Sequence, residues 1–252
     1  MFNSIGDILE LITRKDWESF RSNVLSSPAV FRNLAGAVEA CSALNGMTLL
    51  HAVARCSPPL DIVAQMVAIC PYMPSTKDCL RRTPLHVAAG SNASASLIEL
   101  LARANPAACD VQDVEGDTPL HFACDSSCVL FEEDAFNEGT PRQPPNHEAI
   151  AALLSYSFHA AILKDNVNMI PLDHAIRSNA SPSTVKLLRS AMQRDNQLNE
   201  GIQSFITATK NMQVKKHDEF MRSSLSINSR PTKKVRRTPL VHTLHTQAAR
   251  SA

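Results

Sequence analysis

Apolar residues along this chain fall at helical rather than strand spacing. Ile5, Ile8, Leu9 and Ile12 share one face, and Trp17, Phe20 and Val24 another, which predicts a helix pair within residues 4–43. Further helices are expected from Thr48, from Leu60 to Ile69 and from Thr83 to Ala89. Leu97, Ile98, Leu100 and Leu101 mark the next buried stripe; Ile150, Leu153 and Leu154 another; Val185, Leu187 and Leu188 the last. The pattern predicts an all-α chain, and Ala88 and Ala89 are small enough for a neighbouring helix to approach closely.

The opening of one helix recurs. At Thr83-Pro84-Leu85-His86, the threonine hydroxyl is placed to take an orphan backbone N–H. Pro84 fits the first helical position, where its missing N–H costs nothing. Thr118-Pro119-Leu120-His121 lies 35 residues later, and Thr48-Leu49-Leu50-His51 lies 35 residues earlier. A weaker copy, Ile170-Pro171-Leu172-Asp173-His174, follows the third after 52 residues. A second stretch, Ser91-Asn92-Ala93-Ser94, matches Ser178-Asn179-Ala180-Ser181 at an offset of 87, the sum of 35 and 52. Two independent stretches therefore agree on one register.

A T-P-L-H-x-A motif on a period of about 33 residues is an ankyrin signature, and from Asn45 to Gln193 the chain resembles the ankyrin-repeat family. The resemblance implies an ankyrin-repeat solenoid of stacked helical hairpins, with residues 1–44 as an N-terminal helical cap. The repeat domain is expected over 45–195, with repeats near 45–79, 80–114, 115–166 and 167–195 and an inserted loop at 126–147. That loop, carrying Glu132, Glu133, Asp134 and Glu138, is expected to protrude. Residues 196–252 are expected to form a largely disordered basic tail. Thr48, His51, Thr83, Pro84, Leu85, His86, Thr118, Pro119, Leu120 and His121 are structural positions of the motif. The resemblance gives its histidine hydrogen bonds to backbone between repeats.

Charge is unevenly spread. From Lys210 onward lie ten of the 25 Lys/Arg and two of the 24 Asp/Glu, leaving 15 basic and 22 acidic residues before it. An acidic body thus carries a basic tail. No apolar run reaches the roughly 18 residues of a membrane span, and the N-terminus lacks the pattern of a secretory signal. Seven cysteines, an odd number, suit reduced thiols in a cytoplasmic or nuclear protein.

Catalytic motifs are absent: there is no Walker lysine, Gly-rich dinucleotide turn or GxSxG. His51, His86, His121 and His174 do not suggest a metal, because equivalent positions in stacked repeats lie about 10 Å apart. His121, Cys124 and Cys128 have a conceivable zinc spacing but no fourth ligand. The expectation is no enzyme, no cofactor and no metal.

What remains is surface. The resemblance places a concave binding face on the hairpin tips and adjoining helix starts. Here these include Met47, Arg55, Leu80, Arg82, Glu115, Asp117, Asp125, Met169 and Arg177. The expected function is that of a monomeric, non-catalytic adaptor or scaffold binding another protein there. The alternative is a nuclear regulatory or nucleic-acid-associated protein acting through the tail, where Lys233, Lys234, Arg236 and Arg237 form a candidate import signal. The acidic body opposes that alternative.

Overall fold

The computed structural model describes residues 5–128, 130 and 143–227, all helix, turn and loop. The chain divides into two units, Met1–Glu200 and Gly201–Ala252. The first opens with α1 (Ile5–Thr13), α2 (Trp17–Asn23) and α3 (Pro28–Glu39). This is three helices rather than the expected pair, because Pro28 at a first helical position restarts the chain as a helix. The repeats follow as α4 (Leu49–Arg55) with α5 (Leu60–Ile69), α6 (Pro84–Gly90) with α7 (Ala95–Ala104), and α8 (Pro119–Cys124) with α9 (His147–Tyr156). Last come α10 (Pro171–Arg177) and α11 (Pro182–Ile227).

The helices form two rows. In one, α4 packs on α6, α6 on α8 and α8 on α10; in the other, α5 packs on α7 and α7 on α9. The cap adds a layer at the first end, with α1 against α4 and α3 against α5. A single apolar cluster runs along the stack from Ile8, Phe20 and Phe31 through Leu50, Leu85, Ile98, Leu120 and Leu153 to Ala175 and Leu188. No layer has a core of its own, so each hairpin is stabilised by burying its apolar side on its neighbours.

Turns repeat along with the helices. Ser57, Asn92 and Asn179, at the 35- and 87-residue offsets seen in the sequence, hold φ of 53°, 54° and 53°. Asparagine tolerates this left-handed conformation better than most residues. The third repeat lacks such a turn because its insertion leaves from that place. The insertion is also not wholly protruding. Asn146 caps α9 by accepting from Glu148 and Ala149 N–H, and its Nδ2 reaches Ala93 O at 3.5 Å. At the other root, Leu130 is buried against the second repeat. Residues 131–142, with the four acidic positions named above, lie outside the described residues.

The expected boundary at 195/196 falls inside a continuous helix. The start of α11 is part of the stack: Thr184, Leu188, Ala191 and Asp195 are buried. Thr184 Oγ1 lies 3.1 Å from His147 Nδ1, and Asp195 accepts from His159 at 2.9 Å. Between Pro182 and Pro231 there is no proline, so no residue in that span lacks the backbone N–H a helix needs. In the second unit the helix runs from Gly201 to Ile227, and Phe205 and Met212 are among its exposed side chains. Among the described residues, no helix is long and apolar enough to cross a membrane.

Candidate functional site

Each of the first three repeats begins with the same small machine. Thr48, Thr83 and Thr118 give their backbone N–H to Nδ1 of His51, His86 and His121 at 3.1, 3.0 and 3.1 Å. An Nδ1 that accepts leaves the ring proton on Nε2. That proton is donated across to the next repeat: to Arg82 O from His51 (3.0 Å), to Asp117 O from His86 (3.3 Å, shared with Val111 O of its own repeat at 3.1 Å) and to Met169 O from His121 (3.3 Å). Burial, which disfavours the charged ring, pushes His86 down to about 3 and His121 to about 4. In the fourth repeat Asp173 takes over the cap, accepting from Ile170 N–H at 3.1 Å.

The hairpin tips are held by aspartates. One oxygen of Asp78 accepts the N–H groups of Leu80 and Arg82; Asp113 does so for Glu115 and Asp117, and Asp165 for Val167 and Met169, all at 2.8–3.0 Å. Successive tips then join through Cys79 N–H to Asn45 O, Val114 N–H to Leu80 O, and Asn166 N–H to Glu115 O. Gly116 is required at its tip: φ is +84°, and a Cβ there would lie 2.9 Å from the Asn166 nitrogen. This rigid ladder leaves Leu80, Val114 and Val167 exposed by 41%, 44% and 73%.

Beside the ladder a cavity of about 330 Å³ opens where Arg55, Ser91, Asn92, Phe122, Asp125 and Pro144 meet. One of its lining residues, Leu130, corrects an expectation. Arg82 is buried rather than exposed for contact. Its Nε and Nη2 each lie 2.8 Å from Asp78 Oδ2, and Nη1 donates to Leu130 O at 2.7 Å. The cause is the insertion root, since Leu130 folds back over the second repeat so closely that a Cβ on Gly90 would lie 2.9 Å from it.

The other expected contact residues divide. Leu80, Glu115 and Arg177 are exposed, while Met47, Arg55 and Met169 are half-buried. Asp117 and Asp125 are only partly exposed; they belong to a cluster between the third and fourth repeats. There His174 Nε2 lies 2.9 Å from Asp165 Oδ2, and Nδ1 lies 3.6 Å from Asp125 Oδ2. The His121 and His174 rings meet edge to face, with centroids 5.5 Å apart. Asp125, an ionic neighbour, together with the Asp165 hydrogen bond holds His174 above the ordinary histidine range. Burial and the nearby Asp113 push Asp117 up to about 7, and its Oδ1 is buried with no hydrogen-bond partner. A cavity of about 30 Å³ adjoins the cluster, lined by Asp117, His121, Phe122, Asp125, Cys128 and His174.

Sequence reasoning set His174 aside by comparing equivalent repeat positions. His174 is not equivalent to His121; it stands one residue beyond Asp173, which fills that position, so its ring approaches the third repeat. The available signal was this one-residue offset. Cys124 and Cys128 are unpaired thiols, and burial drives Cys128 up to about 12. The candidate import residues Lys233, Lys234, Arg236 and Arg237 lie outside the described residues.

Residues 76–123 match the family model described as ankyrin repeats (many copies). The comparison with curated proteins gave no match. The matched segment spans the second hairpin and the opening of the third, where cap, inter-repeat histidine and aspartate-held tip all recur, and on that footing residues 76–123 are ankyrin repeats.

Proposed function

We propose that this protein is a non-catalytic adaptor that holds a segment of a partner protein along its hairpin tips and the adjoining cavity. Ankyrin repeats generally mediate protein–protein interaction. The observation that carries the reading here is the row of apolar side chains, Leu80, Val114 and Val167, exposed on tips fixed by backbone hydrogen bonds. Exposed apolar groups on a preorganised frame gain burial on binding while losing little backbone entropy. Arg55 and Asp125 both line the cavity, so that both charge signs are present there, which suits a segment with polar as well as apolar residues.

The test compares proteins captured by the full chain, by a Leu80→Asp/Val114→Asp variant, and by an Arg103→Glu control on the exposed end of α7. The tip variant is expected to lose partners that the control retains, with helix content unchanged by circular dichroism. An identical capture set for all three would overturn the reading.

A further inference from the structure

Where the third and fourth repeats meet, one donor atom from each of Asp117, His121, Asp165 and His174 lies within 4.8 Å of the other three. The four come from separate elements: two hairpin tips, α8 and α10. Backbone bonds fix several of them beforehand. Asp165 spends Oδ1 on the Val167 and Met169 N–H groups, which leaves Oδ2 turned to His174. Asp117 follows the left-handed Gly116, and its own N–H is tied to Asp113. His174 has no capping duty, because Asp173 performs it.

The electrostatics are unbalanced. Three carboxylates, Asp117, Asp125 and Asp165, surround one imidazole that is able to carry at most a single positive charge. Asp117 Oδ1 is buried among them without a hydrogen-bond donor. Such an oxygen is costly unless something positive or protic meets it.

We propose that His174 Nε2, Asp165 Oδ2 and the Asp117 carboxylate bind one divalent metal ion of the zinc class. The ion takes the place of the proton shared by His174 Nε2 and Asp165 Oδ2, now 2.9 Å apart. Tetrahedral ligands on arms of about 2.0–2.1 Å stand about 3.4 Å apart, so this pair opens by about half an ångström. Asp125 Oδ2, 3.6 Å from Nδ1, then receives the remaining ring proton as the outer carboxylate that orients a metal-bound histidine. His121 stays outside the ligand set, since its Nδ1 accepts the Thr118 N–H and its Nε2 proton goes to Met169 O. The neighbouring cavity of about 30 Å³ gives the fourth coordination position room for one water. One imidazole with two carboxylates suits zinc better than calcium, which takes six to eight oxygens, or about that number. The expectation of no metal weighed the spacing of equivalent repeat positions, and this set is built from positions that are not equivalent.

The test uses the full chain, stripped with chelator and titrated with zinc by calorimetry and with cobalt(II) by absorption. The expected result is one equivalent bound, proton release, a higher melting temperature, and cobalt d–d bands without the near-ultraviolet charge transfer of thiolate ligands. Asp117→Asn and His174→Gln, each checked for helix content and melting in chelator, are expected to weaken binding by at least about tenfold. A third variant, Cys124→Ser/Cys128→Ser, is expected to bind as the wild type does. Absence of any zinc-dependent melting shift in the wild-type chain would overturn the proposal, as would thiolate charge transfer or binding unchanged in both ligand variants.

Discussion

His86 carries two structural duties at once, taking the Thr83 N–H on one nitrogen and giving a proton to Val111 O from the other. Both require the neutral ring, and burial depresses its protonation from the ordinary 6.5 to about 3, while His51 is lowered for the same reason. Below pH 6.5 the unfolded chain therefore binds protons that the folded chain refuses. Stability from these rings is fully present above 6.5 and is lost as the pH falls toward 3. Around His51 the neighbouring charges are Asp78 and Arg82, which act in opposite directions. Chemical denaturation across pH 3–8 is expected to show this acid-side loss. His86→Gln, which keeps an acceptor near the N-cap but cannot gain a charge, should flatten the curve over that range while lowering its plateau.

At the scale of the helix, Leu85 and Leu120 are 1% and 0% exposed on α6 and α8, between layers that have no other core. Replacing either by alanine should cost about 2–5 kcal/mol in urea unfolding, through lost burial plus the cavity left between repeats. These two helices were legible because everything that starts them is local: a capping threonine, a proline at the first position, then apolar residues on one face. The aspartates that hold the tips act just as locally, each accepting from N–H groups two and four residues on. What the sequence hid depends on contacts far along the chain. Arg82 reads as a free surface charge until Leu130, 48 residues away, closes over it. Asp117 reads as a tip contact until His174 arrives from the next repeat. The length of α11 was hidden differently: its later apolar residues, Leu198, Ile202, Phe205 and Ile206 among them, share a helical spacing but stay exposed, and spacing alone could not say where the helix stops.

Across the whole stack, stability is shared between neighbours, so the ends matter most. Removing residues 1–44 would bare the faces of α4 and α5 that α1 and α3 cover. Such a truncation is expected to elute as aggregate in size-exclusion chromatography and to melt with a broad, less cooperative transition. A chain ending at Glu200 keeps every buried residue of the first unit, and its melting should match that of the full chain.

The rooting of the insertion has a consequence for how this stack can change. Leu130 is seated at Gly90 and Asn146 at Ala93, with Gln143 and Leu130 lining one cavity, so the two anchorage points stand close together. A foreign domain whose own termini are adjacent could be spliced between them with only a loop-closure cost, which grows slowly with length. The third hairpin is thus a natural docking berth for grafted cargo, with its supporting frame tied off on either side before the visitor begins.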